Sequence, residues 1–296
     1  MMKFKFFLLQ ALLSSSLACA GVMGDKPETE TPNRLFFAGL GGSYNSVKLD
    51  QYFNPLIGTT NIYNGGTLVA FGTANGPAVP FHTTQTTFAP EAQLGYLQSF
   101  SNQDWLWGIK LAYNYLSITM TDSDLVSPQL GTLTAVTGAG TGFTGRATIS
   151  SIQTRIEHEF DLMGIIQHSF KNIHAYLGLG PTTFGTRTNI YNVTGFADID
   201  GTHVDVSGTP VNFASTKWVW GGVVELGMTY FFNPTWFLDI NYRYALSPHN
   251  KTNYTSAFAG TLANGYTKSG TLFGTTNQYI TVQGLTFTIN KVFDFV

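Results

Sequence analysis

The stretch KWVWGGVVELGMTYFF–NPT–WFLDINYRYALS, residues Lys217–Ser247, decides the fold of this chain. Each arm alternates between large apolar side chains and small or polar ones, which is the period of a β-strand, and NPT between the arms is a tight turn. The polar face of the second arm carries Asp239, Asn241 and Arg243 in succession, and an apolar core would not accept them. The opposite aromatic face suits lipid rather than water. The hairpin therefore fits a wall between lipid and a polar lumen.

The composition supports a membrane barrel. Of the 296 residues, 43% are hydrophobic, 15% are aromatic and only 11% are charged, against about 25% charged residues in ordinary soluble domains. No apolar run reaches the roughly 18 residues of a membrane helix, which leaves a closed β-barrel as the way to satisfy backbone groups in lipid. A soluble β-sandwich is the alternative, but the aromatic faces are too numerous and the polar faces too charged for it.

The N-terminus predicts export. Lys3 and Lys5 precede a short apolar segment, 6–13, and Ala18-Cys19-Ala20 forms an A-x-A cleavage site. We therefore predict a signal peptide at residues 1–20, a flexible periplasmic lead-in at 21–33 and a barrel domain at 34–296. Cys19 also resembles part of a lipoprotein box, so lipidation of this residue is the alternative.

Cleavage at this site changes the charge and the cysteine count. Loss of Lys3 and Lys5 leaves 13 basic residues against 17 acidic ones, a net charge of −4, which gives no electrostatic case for nucleic-acid binding. The single cysteine leaves with the signal, so the mature chain cannot form an internal disulfide.

The alternation predicts eight antiparallel strands in an up-and-down transmembrane barrel. Their approximate ranges are 34–46, 87–100, 105–119, 146–162, 172–186, the two arms of the opening hairpin, and 276–295. Ile280 and Val282 interrupt the pattern of the last strand, which indicates a bulge or a strand that extends beyond the membrane.

The connections between these strands fall into two classes. Those at 101–104, 163–171 and 232–235 are short or medium, whereas those at 47–86, 120–145, 187–216 and 248–275 are long. Outer-membrane barrels have short periplasmic turns and long external loops. The asymmetry therefore orients the chain, with both ends of the barrel on the periplasmic side.

Three segments carry a resemblance to a known family. They are FFAGLGGSY (Phe36–Tyr44), AYLGLGPT (Ala175–Thr182) and the aromatic-alternating final strand. With the signal peptide, these resemble the small eight-stranded outer-membrane β-barrels typified by the transmembrane domain of outer membrane protein A and the opacity proteins. The resemblance implies insertion by the barrel-assembly machinery, with Phe293 and Phe295 in the assembly signal. We predict a monomer surrounded by outer-membrane lipid and lipopolysaccharide.

Aromatic side chains near the ends of the lipid-facing strands predict two interfacial girdles. Ten residue steps separate Trp105 from Tyr115, which corresponds to about 25 Å along the membrane normal at a tilt of about 40°. The predicted girdle residues are Trp105, Trp107, Tyr113, Tyr115, Trp220, Tyr230, Trp236, Tyr242 and Tyr244.

Charged residues on the inward faces predict a lumen network. Its members are Glu91, Lys110, Arg155, Glu157, Glu159, Glu225, Asp239 and Arg243. Within a narrow barrel such side chains are close enough to pair, with Lys110 between Glu91 and the charges of the fourth strand. Pairing would plug the lumen. A gated ion path, in which the network switches between two arrangements, is the alternative.

Catalytic signals are weak. His158 lies on the lipid-facing side of the fourth strand, where a Ser-His-acid site for lipid chemistry would need a serine and an acid that the pattern does not supply. Ser247 and His249 are a second pair, but this spacing is common by chance. The other histidines lack metal-ligand spacing. We therefore predict no catalytic site, no metal and no cofactor.

The long connections are weakly charged and unusually rich in phenylalanine, for example at Phe71, Phe143 and Phe258. Such segments either fold into extended hairpins or contact a partner, so a host or surface ligand bound through them is one hypothesis. The function predicted from the sequence is a structural or adhesin-like barrel with a plugged lumen. A narrow pore or transporter for ions or small apolar molecules is the alternative.

Overall fold

The structure, a computed structural model, describes residues 34–100, 104–170, 172–199 and 201–293. The predicted signal peptide, Cys19, the lead-in and Phe295 lie outside these residues. No helix in the described part of the chain is long and apolar enough to span a membrane. Within the described ranges, eleven strands form one antiparallel sheet: β1 Arg34–Asn64, β2 Thr67–Asn75, β3 Val79–Ser99, β4 Trp105–Ala135, β5 Gly140–Phe170, β6 Ile173–Ile199, β7 Thr202–Asp205, β8 Val211–Asn233, β9 Trp236–Leu246, β10 Asn250–Thr261 and β11 Thr267–Phe293.

Eight of these strands close into a ring in the order β1, β3, β4, β5, β6, β8, β9 and β11, and β11 pairs back with β1. The predicted fold class, an eight-stranded antiparallel barrel, is confirmed. The alternation in the opening hairpin is also confirmed, because Glu225, Asp239 and Arg243 are buried inside while Trp220 and Tyr244 are exposed.

The strands continue far beyond the predicted membrane segments. β4 has 31 residues, enough for about 80 Å along the barrel axis at a tilt of about 40°. The connections predicted as long loops are therefore mostly strand. The pattern fades there because side chains outside the lipid no longer need a large apolar face, although backbone pairing persists.

The external connections that remain are short. β1 and β2 are joined at Gly65 and Gly66, which have φ values of +53° and +84°. Positive φ at both central residues is the requirement of a two-residue hairpin turn that matches the twist of the strands, and glycine meets it without strain. The predicted link 163–171 is also wrong, because β5 runs to Phe170; its end carries apolar residues on both faces, which hides the period.

The wall has two seams in its external half. The β3–β4 ladder ends at Glu91–Asn114, and farther out β2 pairs with β4 instead, beginning at Asn75–Leu130. The β8–β9 ladder ends at Gly222–Leu246, and within the described residues no ladder joins β8 to β10. The membrane half is thus fully paired around the ring, whereas the external half is not.

The interior alternates between apolar and polar layers. The lower apolar layer, at the periplasmic end, contains Leu35, Phe37, Leu97, Leu106, Phe231, Phe237 and Val292. The charged layer lies above it. The middle apolar layer contains Val47, Leu49, Ile118, Met120, Ile156, Phe184, Val219, Ile280 and Val282. The upper polar layer consists of Gln51, Thr154, Thr188 and Gln278. The upper apolar layer contains Phe53, Ile149, Ile152, Ile190, Phe213, Tyr254, Phe258 and Leu272.

Ile280 and Val282 occupy ordinary inward positions in this arrangement. The β9–β11 register runs without a shift from Trp236–Lys291 to Leu246–Thr281, so the bulge interpretation is wrong and the strand simply extends outward. Both side chains are fully buried. Their apolar character reflects the middle apolar layer and not a change of face.

Candidate functional site

One half of the charged layer is built around Lys110 of β4. Its Nζ lies 2.6 Å from Oε1 of Glu225 and 2.9 Å from Oδ2 of Asp239, which belong to β8 and β9 on the opposite wall. The hydroxyl oxygen of Tyr176 lies 2.5 Å from Glu225 Oε1 and 2.8 Å from Asp239 Oδ1. Through these contacts, side chains of β6, β8 and β9 are linked to Lys110 of β4 across the lumen.

The other half is built around Arg243 of β9. Its Nη2 lies 3.0 Å from Oε2 of Glu159, and its Nη1 lies 2.9 Å from Oδ2 of Asp161. Nη2 also donates to Oδ1 of Asn45 at 3.2 Å. Arg243 sits directly opposite Glu225 in the β8–β9 register, yet its guanidinium pairs with carboxylates of β5. We call the charged residues of both halves, together with Glu91, the lumen charge cluster. Its members are Glu91, Lys110, Glu159, Asp161, Glu225, Asp239 and Arg243.

The pairing differs from the sequence prediction, which placed Lys110 against Glu91 and the charges of the fourth strand. Lys110 instead crosses the lumen to Glu225 and Asp239. Glu91 accepts a hydrogen bond from the hydroxyl of Thr286 at 3.0 Å. Sequence periodicity gives the face of each side chain but not the distance across the barrel, so the cross-lumen partners could not be assigned from it.

The cluster is shielded from water and contains more carboxyl groups than basic groups. Lys110 and Arg243 are 1% exposed and Glu159 is fully buried. Five carboxylates, those of Glu91, Glu159, Asp161, Glu225 and Asp239, face two cations. In the described structure, Oε1 of Glu159 and Oδ1 of Asp161 accept no hydrogen bond. Buried charges of this kind are tolerated only when they are paired, so the two cations are essential to the interior.

Neutral polar side chains extend the cluster toward the periplasm. Nε2 of Gln93 lies 2.6 Å from Thr288 Oγ1, 2.6 Å from Asn290 Oδ1 and 3.2 Å from Asp239 Oδ2. Gln93, Asp161 and Tyr176 were not among the predicted site residues, although their inward parity was visible in the sequence. The signal that could have included them is the run of polar residues at successive inward positions on β3, β5 and β6.

Apolar layers cover the cluster on both sides. Below it, the ring of Phe237 packs against those of Phe37 and Phe231, with centroids 5.2 Å and 5.0 Å apart. Above it, the middle apolar layer places fully buried Leu49 and Phe184 in the lumen. Ions that crossed the barrel would have to pass all three layers.

Two predicted members of the network lie outside the lumen. Side chains of Arg155 and Glu157 are 44% and 33% exposed, and Arg155 Nε lies 2.8 Å from Glu157 Oε1 on the outer wall. The register shifts between Tyr115 and Ile118 on β4 and between Ile156 and His158 on β5. These bulges reverse the faces of β5, so Ile156 points inward above them and Glu159 below them. Their prediction as lumen residues was wrong.

One residue of β4 at this bulge has an unusual backbone conformation. Ser117 adopts φ +45° between the two shifted pairs, a conformation that non-glycine residues rarely adopt. Its hydroxyl lies 3.4 Å from Nη2 of Arg155. A serine does not predict such a conformation from the sequence. The inward parity of β4 is the same on both sides of Ser117, and the alternation fails on β5, between Ile156 and His158.

The bulge also places an acid beside His158, contrary to the sequence interpretation. His158 Nε2 lies 3.8 Å from Oε2 of Glu157, and its Nδ1 lies 3.0 Å from the hydroxyl of Tyr113. Within the described residues no serine contacts this histidine, and Ser117 is directed to Arg155. A nucleophile, which a Ser-His-acid site requires, is thus not positioned.

The second pair of catalytic candidates is separated. Ser247 is buried, and its hydroxyl accepts a hydrogen bond from the backbone N–H of Ile280 at 2.9 Å. His249 is exposed and packs against Tyr279, with ring centroids 5.5 Å apart. Among the described residues no group of three or more His, Cys, Asp or Glu side chains has a geometry that could hold a metal ion.

The predicted girdle residues all face outward. Tyr113 is partly exposed, and the others are 37–66% exposed: Trp105, Trp107, Tyr115, Trp220, Tyr230, Trp236, Tyr242 and Tyr244. Phe293, 42% exposed at the end of β11, completes the periplasmic edge. Between the two ends the wall presents aliphatic side chains such as Leu226, Leu177 and Ile289.

Comparison with known proteins is consistent with a barrel whose outer wall faces lipid. No protein-family model matches the chain. "Outer membrane protein P1" of Coxiella burnetii (strain RSA 493 / Nine Mile phase I) is 26% identical over 265 residues, which cover 88% of this chain and 86% of that protein. The chain is an eight-stranded outer-membrane β-barrel. Its location is the outer membrane of a Gram-negative cell.

Solved structures of small barrels are similar to this one at a coarse level. Ail, the attachment invasion locus protein of Yersinia pestis, is 10% identical, with a TM-score of 0.34 and coverage of 86% of this chain and 99% of Ail. OprG from Pseudomonas aeruginosa is also 10% identical, with a TM-score of 0.34 and coverage of 91% and 100%. Similarity at this level carries no functional inference.

Proposed function

We propose that this protein is a non-conducting outer-membrane barrel that has no catalytic role and presents its external half as an interaction surface. The lumen charge cluster is the observation that carries the proposal. Lys110 and Arg243 each bridge the lumen and hold two carboxylates on the opposite wall. Apolar layers above and below the cluster support the same conclusion.

A permeating ion would have to separate these pairs. Removing one partner from a buried ion pair costs about 3–5 kcal/mol because the remaining charge is left without compensation. The aromatic side chains of the lower apolar layer would also have to move. Both costs act against a permanently open path.

Planar-bilayer recordings of the purified protein test this proposal. We expect no steady single-channel current from the wild type. Insertion is verified separately by the heat-dependent change in electrophoretic mobility that folded barrels show and by protease digestion from each side. A steady open conductance from correctly inserted protein would overturn the closed-lumen proposal.

The external half supplies the interaction surface. Beyond the lipid-facing band it exposes Leu68, Phe71, Val126, Leu130 and Val136, which are 38–67% exposed. Apolar side chains clustered outside lipid mark contact sites more often than solvated surface. A host or surface ligand at this end remains a proposal, as do insertion by the barrel-assembly machinery and the monomeric state.

Adhesion of cells that display the protein tests the surface role. Replacing Leu68, Phe71 and Leu130 by serine should reduce attachment to host cells or matrix without changing the amount of folded protein in the membrane. Replacement of lipid-facing Leu226 by alanine is the matched control. Equal attachment by the triple variant and the wild type would remove the external surface from the proposal.

A cation-selective pore is the second candidate, because the cluster contains more carboxylates than cations. Oxygens of Glu159 and Asp161 without hydrogen-bond donors are suited to a passing cation. If current appears, its reversal potential in a salt gradient should indicate cation selectivity, and Asp161→Asn should weaken that selectivity. Anion-selective current would exclude this candidate.

A further inference from the structure

Six polar and aromatic side chains line one cleft on the outer wall of the external half. They come from β1, β3, β11 and the link between β9 and β10: Lys48, Asp50, Tyr52, His82, His249 and Tyr279. The sheet register brings them together, because Asp50 lies directly opposite His82 on one side and Tyr279 on the other. We call these six residues the external ring cleft.

The cleft lies beyond the lipid. Six residue steps along β1 separate Asp50 from Tyr44, which is the last large outward side chain before Lys48. At about 3.3 Å per residue and a tilt of about 40°, this corresponds to about 15 Å along the barrel axis. The inward neighbours Leu49 and Ile280 are fully buried, so the wall separates the cleft from the lumen. Its volume of about 510 Å³ is within the range of small-molecule sites.

The charged groups of the cleft satisfy one another. One carboxylate oxygen of Asp50 lies 2.7 Å from Nζ of Lys48, and the other lies 2.9 Å from Nδ1 of His82. Both oxygens are thus engaged, which disfavours a cationic ligand, and the charge of Lys48 is offset, which disfavours an anionic one. Among the described residues, no group of three or more His, Cys, Asp or Glu side chains could hold a metal ion. The cleft therefore favours a ligand without net charge.

Two pairs of aromatic rings form the rest of the cleft. Tyr52 packs edge-on against His82, and His249 packs against Tyr279, with ring centroids 5.4 Å and 5.5 Å apart. Tyr52 is 39% exposed and Tyr279 is partly exposed. Within the described part of the chain, the hydroxyl groups of both tyrosines make no hydrogen bond. The cleft thus offers accessible ring surface next to unused donors and acceptors.

We propose that the external ring cleft binds a neutral saccharide. The face of an aromatic ring carries partial negative charge, which attracts the partly positive C–H groups of a sugar ring. Tyrosine hydroxyls and histidine nitrogens can donate and accept hydrogen bonds, as sugar hydroxyls require. Tyr52 and Tyr279 would contact the sugar rings, and His249 would orient their hydroxyl groups. A free oligosaccharide carries all of these groups, so binding needs no lipid anchor.

This inference deepens the proposed interaction surface, on which it rests for its biological role, by naming a ligand class for the β1–β11 side of the external half. It uses none of Leu68, Phe71 and Leu130. Failure of saccharide binding would therefore leave the adhesion test of those three residues intact, and failure of that adhesion test would leave saccharide binding measurable.

Titration calorimetry of the full-length barrel, in a detergent without a sugar headgroup, tests the proposal. The probes are neutral trisaccharides of glucose, galactose and mannose, with the sulfated forms and a purified glycolipid for comparison. We expect the wild type to bind at least one neutral trisaccharide more tightly than its sulfated form. The double variant Tyr52→Ala/Tyr279→Ala should bind that probe about tenfold or more weakly, because it loses two aromatic contacts.

Two further variants identify the groups responsible. Tyr52→Phe/Tyr279→Phe keeps the rings and removes the hydroxyl groups, so it should lose less affinity than the alanine double variant. Tyr191→Ala is the matched control, because Tyr191 is partly exposed on β6, which lies opposite β1 in the ring. This variant should bind as the wild type does. Heat-dependent electrophoretic mobility verifies that each variant is folded.

Four results would overturn the proposal. The first is that the wild type binds none of the neutral trisaccharides. The second is that the folded alanine double variant binds them as tightly as the wild type. The third is tighter binding of the sulfated probes, which would assign the cleft to anions. The fourth is binding of the glycolipid alone, which would mean that its acyl chains supply the affinity.

Discussion

Two polar layers of the interior, the lumen charge cluster and the upper polar layer, differ in how they satisfy their side chains. The first sits within the lipid-embedded half and relies on Lys110 and Arg243 with their carboxylates. The second lies in the external half and is neutral. There Gln278 Nε2 donates to Thr188 at 2.7 Å and to Gln51 at 3.1 Å.

The difference between the two layers follows from how completely the strands around each layer are paired. Around the charge cluster all eight strands are paired, so water is excluded and a lost charge partner cannot be replaced. Around the upper polar layer the wall has two seams, and neutral groups there can exchange a protein partner for water at modest cost. We infer that charges fix the membrane half in one arrangement, whereas the external half can open locally without loss of the barrel.

The largest effect should come from Arg243→Met. This change leaves Glu159 and Asp161 buried without a counter-charge, and we expect a loss of about 3–5 kcal/mol in the free energy of unfolding. Urea titration in detergent micelles, followed by electrophoretic mobility, provides the measurement. The matched control is Arg155→Met on the outer wall, where an exposed pair contributes at most about 1 kcal/mol. Equal losses in both variants would remove the distinction between lumen and surface charges.

A smaller and more local effect should follow Ile190→Ala in the upper apolar layer. Ile190 is fully buried, and truncation of such a side chain costs about 2–4 kcal/mol. Hydrogen exchange should rise in the external parts of β5, β6 and β10 while the membrane half stays protected. Val223→Ala, in the membrane half, should not produce that local pattern. Uniform exchange along the whole of β6 would show that the two halves open together.

Gln278→Leu should cost less again. It removes the donor to Gln51 and Thr188 but leaves no charge unpaired, so we expect a loss of about 1–2 kcal/mol. The same urea titration applies, with Thr281→Val on the outer face of β11 as the control. A loss as large as that of Arg243→Met would mean that neutral and charged layers contribute equally to stability.

The smallest effect concerns Asp50 outside the lipid. Partial burial works to raise the pKa of this carboxyl, but hydrogen bonds from Lys48 and His82 outweigh burial and hold the pKa below its ordinary value. The stabilisation from a depressed carboxyl pKa is complete above the ordinary pKa near 4 and disappears as the pH falls through the lower folded value. Asp50→Asn should therefore lower the Tm slightly at pH 7 and leave it unchanged well below pH 4. A difference that persists in strong acid would point to lost packing instead.

The sequence was informative where lipid imposes the alternation. Strong aromatic faces on Trp105–Tyr115 and on the arms of the opening hairpin identified the lipid-facing side, and the same parity placed Lys110, Glu225, Asp239 and Arg243 inside. It failed at Arg155 and Glu157 because the register of β5 shifts between Ile156 and His158, which reverses the faces of that strand. Register shifts of this kind leave no periodic signal.

The length of the strands and the partners across the lumen could not be predicted from the sequence, for two different reasons. Beyond the membrane the two faces of β4 both mix polar residues with scattered apolar ones such as Val126 and Leu130, so pairing between strands persists without a contrast between the faces that reveals it. Lys110 and Asp239 are distant in the chain and on separate strands, and their contact depends on the diameter of the closed barrel. Neither the length of the strands nor the partners across the lumen can be predicted from a local sequence pattern.

The pairing of β1 with β11 has a consequence for how the protein forms. This ladder runs from Phe36–Phe293 to Tyr63–Thr267, so the ring can close only when the last strand reaches the first. Because the paired residues are so far apart in the chain, closure carries a large loop-closure entropy cost and slows folding. Once formed, the long ladder must separate almost completely before the barrel can unfold. The folded protein should therefore persist through a high kinetic barrier, even under conditions in which its equilibrium stability is modest.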